Sequence, residues 1–416
     1  MKSIKRYIPT LVYDEVQKLN YKNKEHLYVI CDMITRVSIY KKENKDYSNQ
    51  YTDIPDHYFR DIITKYNSYK EAITCLKENK IIQCDNLYSK IGGKAYGWKF
   101  NDKLISKLIT VELESKTLFK RIINNRNVRN SFINERYSKY KEHFISTFNI
   151  EYEDALKYIN EWFDTSISSL SLNSSLCRNN YDKEWNKIVN KYNSLYISIS
   201  AINDGELFLR KNNSNGRIDT NLTNLKSELK RFITKKDLRQ VDIVNSQPYI
   251  LSLLLSLNSS LCRNNLEKSE LERYVLWTKK GIFYENFEKE YFKKTGKDIS
   301  RKDIKDIMFC IFYSKNNSYI KEKNIFKSIF PSIHAWIINQ KKDKHNEFAI
   351  KMQKIESDIC IENICQELDN NNIKYYTIHD AWLIDDRDVK KTMSIVIKCF
   401  QKLYMSQPTL KIEKIN

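Results

Sequence analysis

The chain has 416 residues, 41% of them hydrophobic, enough for two or three domains with buried cores. Its 71 Lys and Arg outnumber 52 Asp and Glu for a formal charge of +19, and 28 Tyr and 18 Phe lie among the cations; this points to nucleic acid rather than a membrane surface, although an AT-rich genome that favours Lys codons explains part of the surplus. No apolar run nears the roughly 18 residues of a membrane span, no signal core follows Met1, and the nine cysteines include no C-x-x-C pair, so a soluble protein with reduced core thiols, no disulfide framework and no zinc site is expected.

Residues 1–50 carry short mixed apolar runs with no readable role. From Pro55 the pattern sharpens into helical HYFRDIITKY, helical SYKEAITCLKEN, then IIQCD and a basic hairpin YSKIGGKAYGWKF turned at Gly92-Gly93. That order resembles a winged helix, a reader of double-stranded DNA and also a protein dock; a small packing domain is the other reading of 1–100. Residues 101–200 read as long charged amphipathic helices, among them EDALKYINEWF, either a grip on duplex phosphates or a spacer. The decapeptide SLNSSLCRNN stands at 171–180 and again at 256–265, which looks like duplicated coding sequence in Ser- and Asn-rich turns.

Chemistry gathers in the second half. In DLRQVDIVNSQPYILSLLL, 237–255, an alternating strand ends near Asp242 and a helix follows with Pro248 in its first turn. An acid there can cap the helix or hold a divalent metal. In SRKDIKDIMFCIFYSKNN, 300–317, Ser300 and Asp303 form a capping box, and Ile304, Ile307, Met308, Ile311 and Phe312 make the buried stripe. Arg301, Lys305, Phe309 and Tyr313 recur every fourth residue; at about 100° per residue each step drifts about 40°, so two cations and two rings share one broad face. Such a face suits a nucleoside triphosphate, although any two of the four alone would read as a solvated basic face with core aromatics. In IKYYTIHDAWLIDD, 373–386, two apolar runs flank His379-Asp380, a hairpin that lifts Asp380 to its tip, where it can face Asp242. Two acids meeting there repel unless a cation sits between them, and Mg²⁺ held by carboxylates and substrate phosphates is the usual solution.

An Asp at a strand end, then R-x3-K-x3-F-x3-Y on a helix, then His-Asp on a hairpin resembles motifs A, B and C of the family A DNA polymerases and the related single-subunit phage-type RNA polymerases. Asn215-Gly216-Arg217 is similar to the TGR element that precedes motif A and contacts primer–template, and Met352-Gln353 with Asp358-Ile359 resembles the helix entering motif C. The resemblance spans about residues 215–400. It departs at DIVNSQP where the family has DYSQIE, at Ser314 in place of a Gly, and at Ala381 in place of a Glu.

The resemblance implies an α+β right-hand polymerase with an antiparallel-sheet palm and helical fingers and thumb. The N-terminal domain is expected over 1–100, a thumb-like region over 101–215, palm over 216–250 and 335–416, and fingers over 251–334. It implies a template-directed DNA polymerase that extends a 3′-hydroxyl with two Mg²⁺, for which Mn²⁺ can substitute. Asp242 and Asp380 would be the metal ligands, and Lys305 would join them in catalysis. Arg301, Lys305, Phe309, Tyr313 and Gln247 would bind nucleotide, and Arg217, Gln353 and His379 nucleic acid. Gln247 stands where the DNA enzymes carry a Glu that crowds a ribose 2′-hydroxyl, and Phe309 is aromatic as in those enzymes, so Phe309→Tyr should ease acceptance of dideoxynucleotides. Glu112-Leu113-Glu114 lacks the Asp of an editing exonuclease, so no proofreading is expected. The setting implied is phage or plasmid replication in a bacterial cytoplasm, by a monomer with DNA and nucleoside triphosphates as partners and no membrane. A phage-type RNA polymerase and a non-catalytic DNA-binding initiator or regulator are the two alternatives.

Overall fold

Leu238–Ile243 (β1) is a strand whose two faces differ: Val241 and Ile243 are buried, whereas Gln240 and Asp242 are partly exposed. The computed structural model describes residues 4–41, 51–63, 66–90, 93–131, 135–172, 178–234, 237–257 and 265–415. Gly92, half of the first SLNSSLCRNN copy and most of the second lie outside those residues. The chain forms two compact units, one of 1–132, 148–208 and 224–234, the other of 133–147, 209–223 and 235–416.

In the second unit β1 lies within a four-stranded antiparallel sheet with Tyr375–Ile378 (β2), Ala381–Asp385 (β3) and Leu410–Lys414 (β4), in the order β4-β1-β3-β2. The register sets Asp242 opposite Ala381 on one side and Lys411 on the other. Ser246–Ser256 (α1) follows β1 at once and is apolar nearly all round, so it is buried nearly all round. Tyr249 of α1 meets Phe400 of Val389–Tyr404 (α2) with ring centroids 5.6 Å apart.

A second apolar cluster of the same unit is built around the helix Arg301–Tyr313. Ile304, Ile307, Met308, Ile311 and Phe312 enter it with Tyr274, Phe283, Phe326 and Phe330, while Arg301, Lys305 and Phe309 stay exposed. The start of this helix is fixed by Ser300, whose hydroxyl accepts from the Asp303 N–H at 3.1 Å and donates to its carboxylate at 2.6 Å. Its end is fixed by buried Lys341, which donates to the Ile311 carbonyl at 2.6 Å and the Ser314 carbonyl at 2.9 Å, where the helix dipole favours a cation. Burial, then Lys323, pulls the Lys341 pKa down to about 8.

A carboxylate does the reverse at the start of Pro331–Gln340. Buried Glu270 accepts from the Ser332 and Ile333 N–H groups at 3.1 and 2.9 Å. Glu270→Ala leaves those donors without a partner, so we expect about 1–3 kcal/mol of destabilisation in urea unfolding. A loss below about 0.5 kcal/mol would contradict this assignment of the cap.

In the first unit Ile4–Pro9 pairs antiparallel with Leu108–Leu113, so the unassigned N-terminus is a sheet strand. Its Arg6 enters a largely buried ion network: Arg6 and Arg36 meet Asp32 at 3.2 and 2.9 Å, and Arg36 and Arg126 meet Glu206 at 2.8 and 3.0 Å. Helix Lys24–Lys41 leads to strand Thr52–Asp53, helices Asp56–Arg60 and Tyr66–Glu78, then strands Ile82–Cys84 and Gly97–Phe100. The last strand is the middle of this three-stranded sheet. The first of the two helices expected after Pro55 is thus much shorter than HYFRDIITKY. Tyr152–Leu172 and Arg178–Asn203 pack together, with Phe163 and Tyr192 at 5.0 Å.

Seven described cysteines are free; Cys31, Cys360, Cys365 and Cys399 are buried as expected, but Cys75, Cys84 and Cys310 are only partly so. Among the described residues no helix is long and apolar enough to cross a membrane.

Candidate active site

Strand register brings the two acids to one end of the sheet. Asp242 is the last residue but one of β1, and Asp380 sits in the two-residue turn between β2 and β3, its carbonyl accepting from the Ile243 N–H at 3.4 Å. So short a turn needs a residue in the left-handed region, and His379 supplies it at φ +56°. A non-glycine residue held there costs about 1–2 kcal/mol, a strain that functional turns often carry.

A cavity of about 260 Å³ opens beside the acids. It is lined by Asp242, Asp380, Gln247, Arg301, Lys305, Phe309 and Tyr313, together with Ile243, Val244, Asn245, Ser246, Tyr284, Met308, Phe312 and Lys411. Seven of the ten residues singled out in the sequence therefore share one cleft. Arg301 and Lys305 lie over the Tyr284 ring at 5.5 and 5.8 Å, and Phe309 and Tyr313 are 5.4 Å apart.

Burial, then the neighbouring Asp380, then Glu413 push the Asp242 carboxyl up to about 7. Burial also raises Asp380, opposed by Ser246, Arg217 and Lys305. A carboxyl whose folded pKa lies above its ordinary value stabilises the fold most at low pH, and that stability is lost as pH rises from about 4 through about 7. Asp242→Asn should therefore raise stability at pH 8 by on the order of 1–2 kcal/mol, less than the full shift because solvent reaches the cleft, and change little at pH 4. Thermal melts of both proteins across that range check it; an Asn variant less stable at pH 8 would contradict it.

The other three residues lie outside the cavity wall. Arg217 pairs with Glu356 at 2.5 Å, and Gln353 accepts from Asn215 at 3.1 Å, so both are engaged within the protein. His379 holds the turn. The Asn-Gly-Arg segment seats on the helix His345–Ser357 through successive residues: a Cβ on Gly216, at φ +75°, would come within 2.8 Å of the Ser357 hydroxyl. Glu356 in turn accepts from the Gln247 amide, and the Tyr313 hydroxyl donates to the Gln247 carbonyl oxygen. Burial, then Asp380, raises Glu356 to about 7 against the pull of Arg217.

Glu356, Tyr284, Asn245, Ser246 and Lys411 were not found from sequence. Glu356 did leave a signal, since Phe348, Met352 and Glu356 repeat every fourth residue and all three are buried. Lys411 is brought in by strand register alone and Tyr284 by packing, for which spacing gives no sign.

No protein-family model and no curated protein matches the chain. Among solved structures it is similar to the POL domain of Pol1 from M. smegmatis, in complex with DNA primer-template and dNTP, with 10% identity and a TM-score of 0.47 over 71% of this chain and 72% of that one. The functional reading rests instead on the cleft.

Proposed function

We propose that the cleft transfers a nucleotidyl group from a deoxynucleoside triphosphate to a 3′-hydroxyl on a DNA template. The observation that carries this reading is the meeting of two acids at one sheet end with two cations and two rings from one helix face in a single cavity. The hydroxyl gives up its proton to solvent as its oxygen bonds to the α-phosphorus, and the bond from that phosphorus to the pyrophosphate oxygen breaks. Arg301 and Lys305 meet the phosphate oxygens, and Lys305 gives the leaving pyrophosphate a proton. Phe309 and Tyr313 hold base and sugar, with Gln247 against the 2′ position.

The two acids fit a pair of Mg²⁺ ions. Asp380 hinders the ionisation of Asp242, and among the described residues no third His, Cys, Asp or Glu completes a cage, so substrate phosphates would supply the remaining ligands. When bound, such ions lower the pKa of the attacking hydroxyl and stabilise the leaving oxygen. Mn²⁺ would substitute.

In this reading 216–250 and 335–416 form the palm and 251–334 the fingers. The helices Tyr152–Leu172 and Arg178–Asn203 are the candidates for a thumb. The helix–strand–helix–helix–strand–strand order of 24–100, with the last strand central, supports the winged-helix reading. The setting is replication of a phage or plasmid in a bacterial cytoplasm, by a monomer.

Extension of a labelled primer–template, compared with an unprimed strand and with ribonucleotides, tests the reading. Primed addition of deoxynucleotides is expected. Unprimed synthesis from ribonucleotides would move the protein to the RNA polymerases, and no addition at all to the DNA-binding proteins. Gln247→Ala should lower discrimination against ribonucleotides by about 10–100-fold, since a side chain that crowds the 2′-hydroxyl is gone. Unaltered discrimination in single-turnover assays would reject Gln247 as the gate.

A further inference from the structure

Gln247 is held at both ends. A side-chain amide has one donating and one accepting end, and here the donating end meets a group that only accepts when ionised. The Gln247 amide N–H donates to Glu356 Oε2, and the Tyr313 hydroxyl donates to Gln247 Oε1. Glu356 Oε1 is taken by Arg217 Nε at 2.7 Å. Glu356 is 1% exposed and its helix is locked to the Asn-Gly-Arg turn, so the far wall of this chain of bonds does not swing freely. With its amide reversed, Gln247 would set an oxygen against the carboxylate and an N–H against the hydroxyl proton of Tyr313.

We propose that Glu356 is a positioning residue for sugar choice, which fixes the Gln247 amide against the nucleotide sugar and requires an amide rather than a carboxylate at position 247. This rests on the nucleotidyl-transfer reading of the same cleft. The Gln247→Glu change would face Glu356 with a second carboxyl in place of the donating amide, so the two would repel or compete for one proton and the amide bond to Glu356 would be lost. Exchanging the two side chains restores every bond: the amide then at position 356 accepts from Arg217 and donates to the carboxylate then at position 247, whose second oxygen accepts from Tyr313. In this chain Glu356 supplies the carboxylate of the pair and position 247 the amide.

The test uses the full chain with Glu356→Gln, Gln247→Glu and the double variant. The ratio of deoxy- to ribonucleotide incorporation is measured on one primer–template, and melting temperature is measured without nucleotide. Glu356→Gln should lower the ratio about tenfold by reversing the amide. Gln247→Glu should lower both ratio and melting temperature, and the double variant should recover most of each. Losses that simply add in the double variant would overturn the contact. A melting cycle that shows rescue while all ratios stay at the wild-type value would leave Glu356 as packing only and overturn its role in sugar choice. If the wild type incorporates nothing, the transfer reading fails and the gate with it; rescue in the melting cycle would then show that the contact itself exists.

Discussion

Asp242→Ala and Asp380→Ala are each expected to cut nucleotide incorporation by about 10³-fold or more, because in the proposed two-metal transfer the described residues lining the cleft offer no other carboxylate to fall back on. Neither side chain is a core contact: Asp242 lies on the partly exposed face of β1 and Asp380 in a turn. Both variants should therefore fold and bind DNA much as the parent does. Asp242→Ala should, if anything, melt higher at neutral pH, since it removes a carboxyl whose ionisation the fold resists. Single-turnover incorporation, melting and DNA titration separate the effects. A variant with parent-like incorporation would remove that acid from the chemistry. A variant that unfolds would show that the acid supports the fold.

Lys305→Ala should slow the chemical step by ~10²–10³-fold, the usual size for one preorganised charge facing developing negative charge. Its position supports that role: Lys305 lies on the exposed face of its helix, lines the cleft, and acts electrostatically on both Asp242 and Asp380. The loss should fall on kcat. A raised KM with unchanged kcat would mean that Lys305 binds ground and transition states alike. Arg301, which also reaches Glu285 at 3.5 Å, should show a smaller and more KM-weighted loss.

The helix Arg301–Tyr313 was legible because it obeys one local rule twice, with an apolar stripe on one side and a second four-residue repeat on the other. The hairpin around His379-Asp380 was legible because two apolar runs flank a polar pair. What spacing could not show is which strand lies beside which. Lys411 joins the cleft only because β4 pairs with β1 in a register that sets it opposite Asp242. Arg217 was read as facing nucleic acid, yet its guanidinium is engaged by Glu356, a partner 139 residues away in sequence. The N-terminal strand was opaque for a related reason: Ile4–Pro9 pairs with residues about a hundred positions later, and its Arg6 meets Asp32 and Glu206 within the fold. Long-range pairing leaves little trace in local composition.

The central claim, templated nucleotidyl transfer at the Asp242–Asp380 cleft, is tested most directly by single-nucleotide addition to a primer–template with each of the four deoxynucleotides in turn. The account predicts addition of the one nucleotide complementary to the template base, dependent on Mg²⁺, stopped by EDTA and lost in Asp380→Ala. Addition that ignores the template base, or that persists in Asp380→Ala, would contradict it.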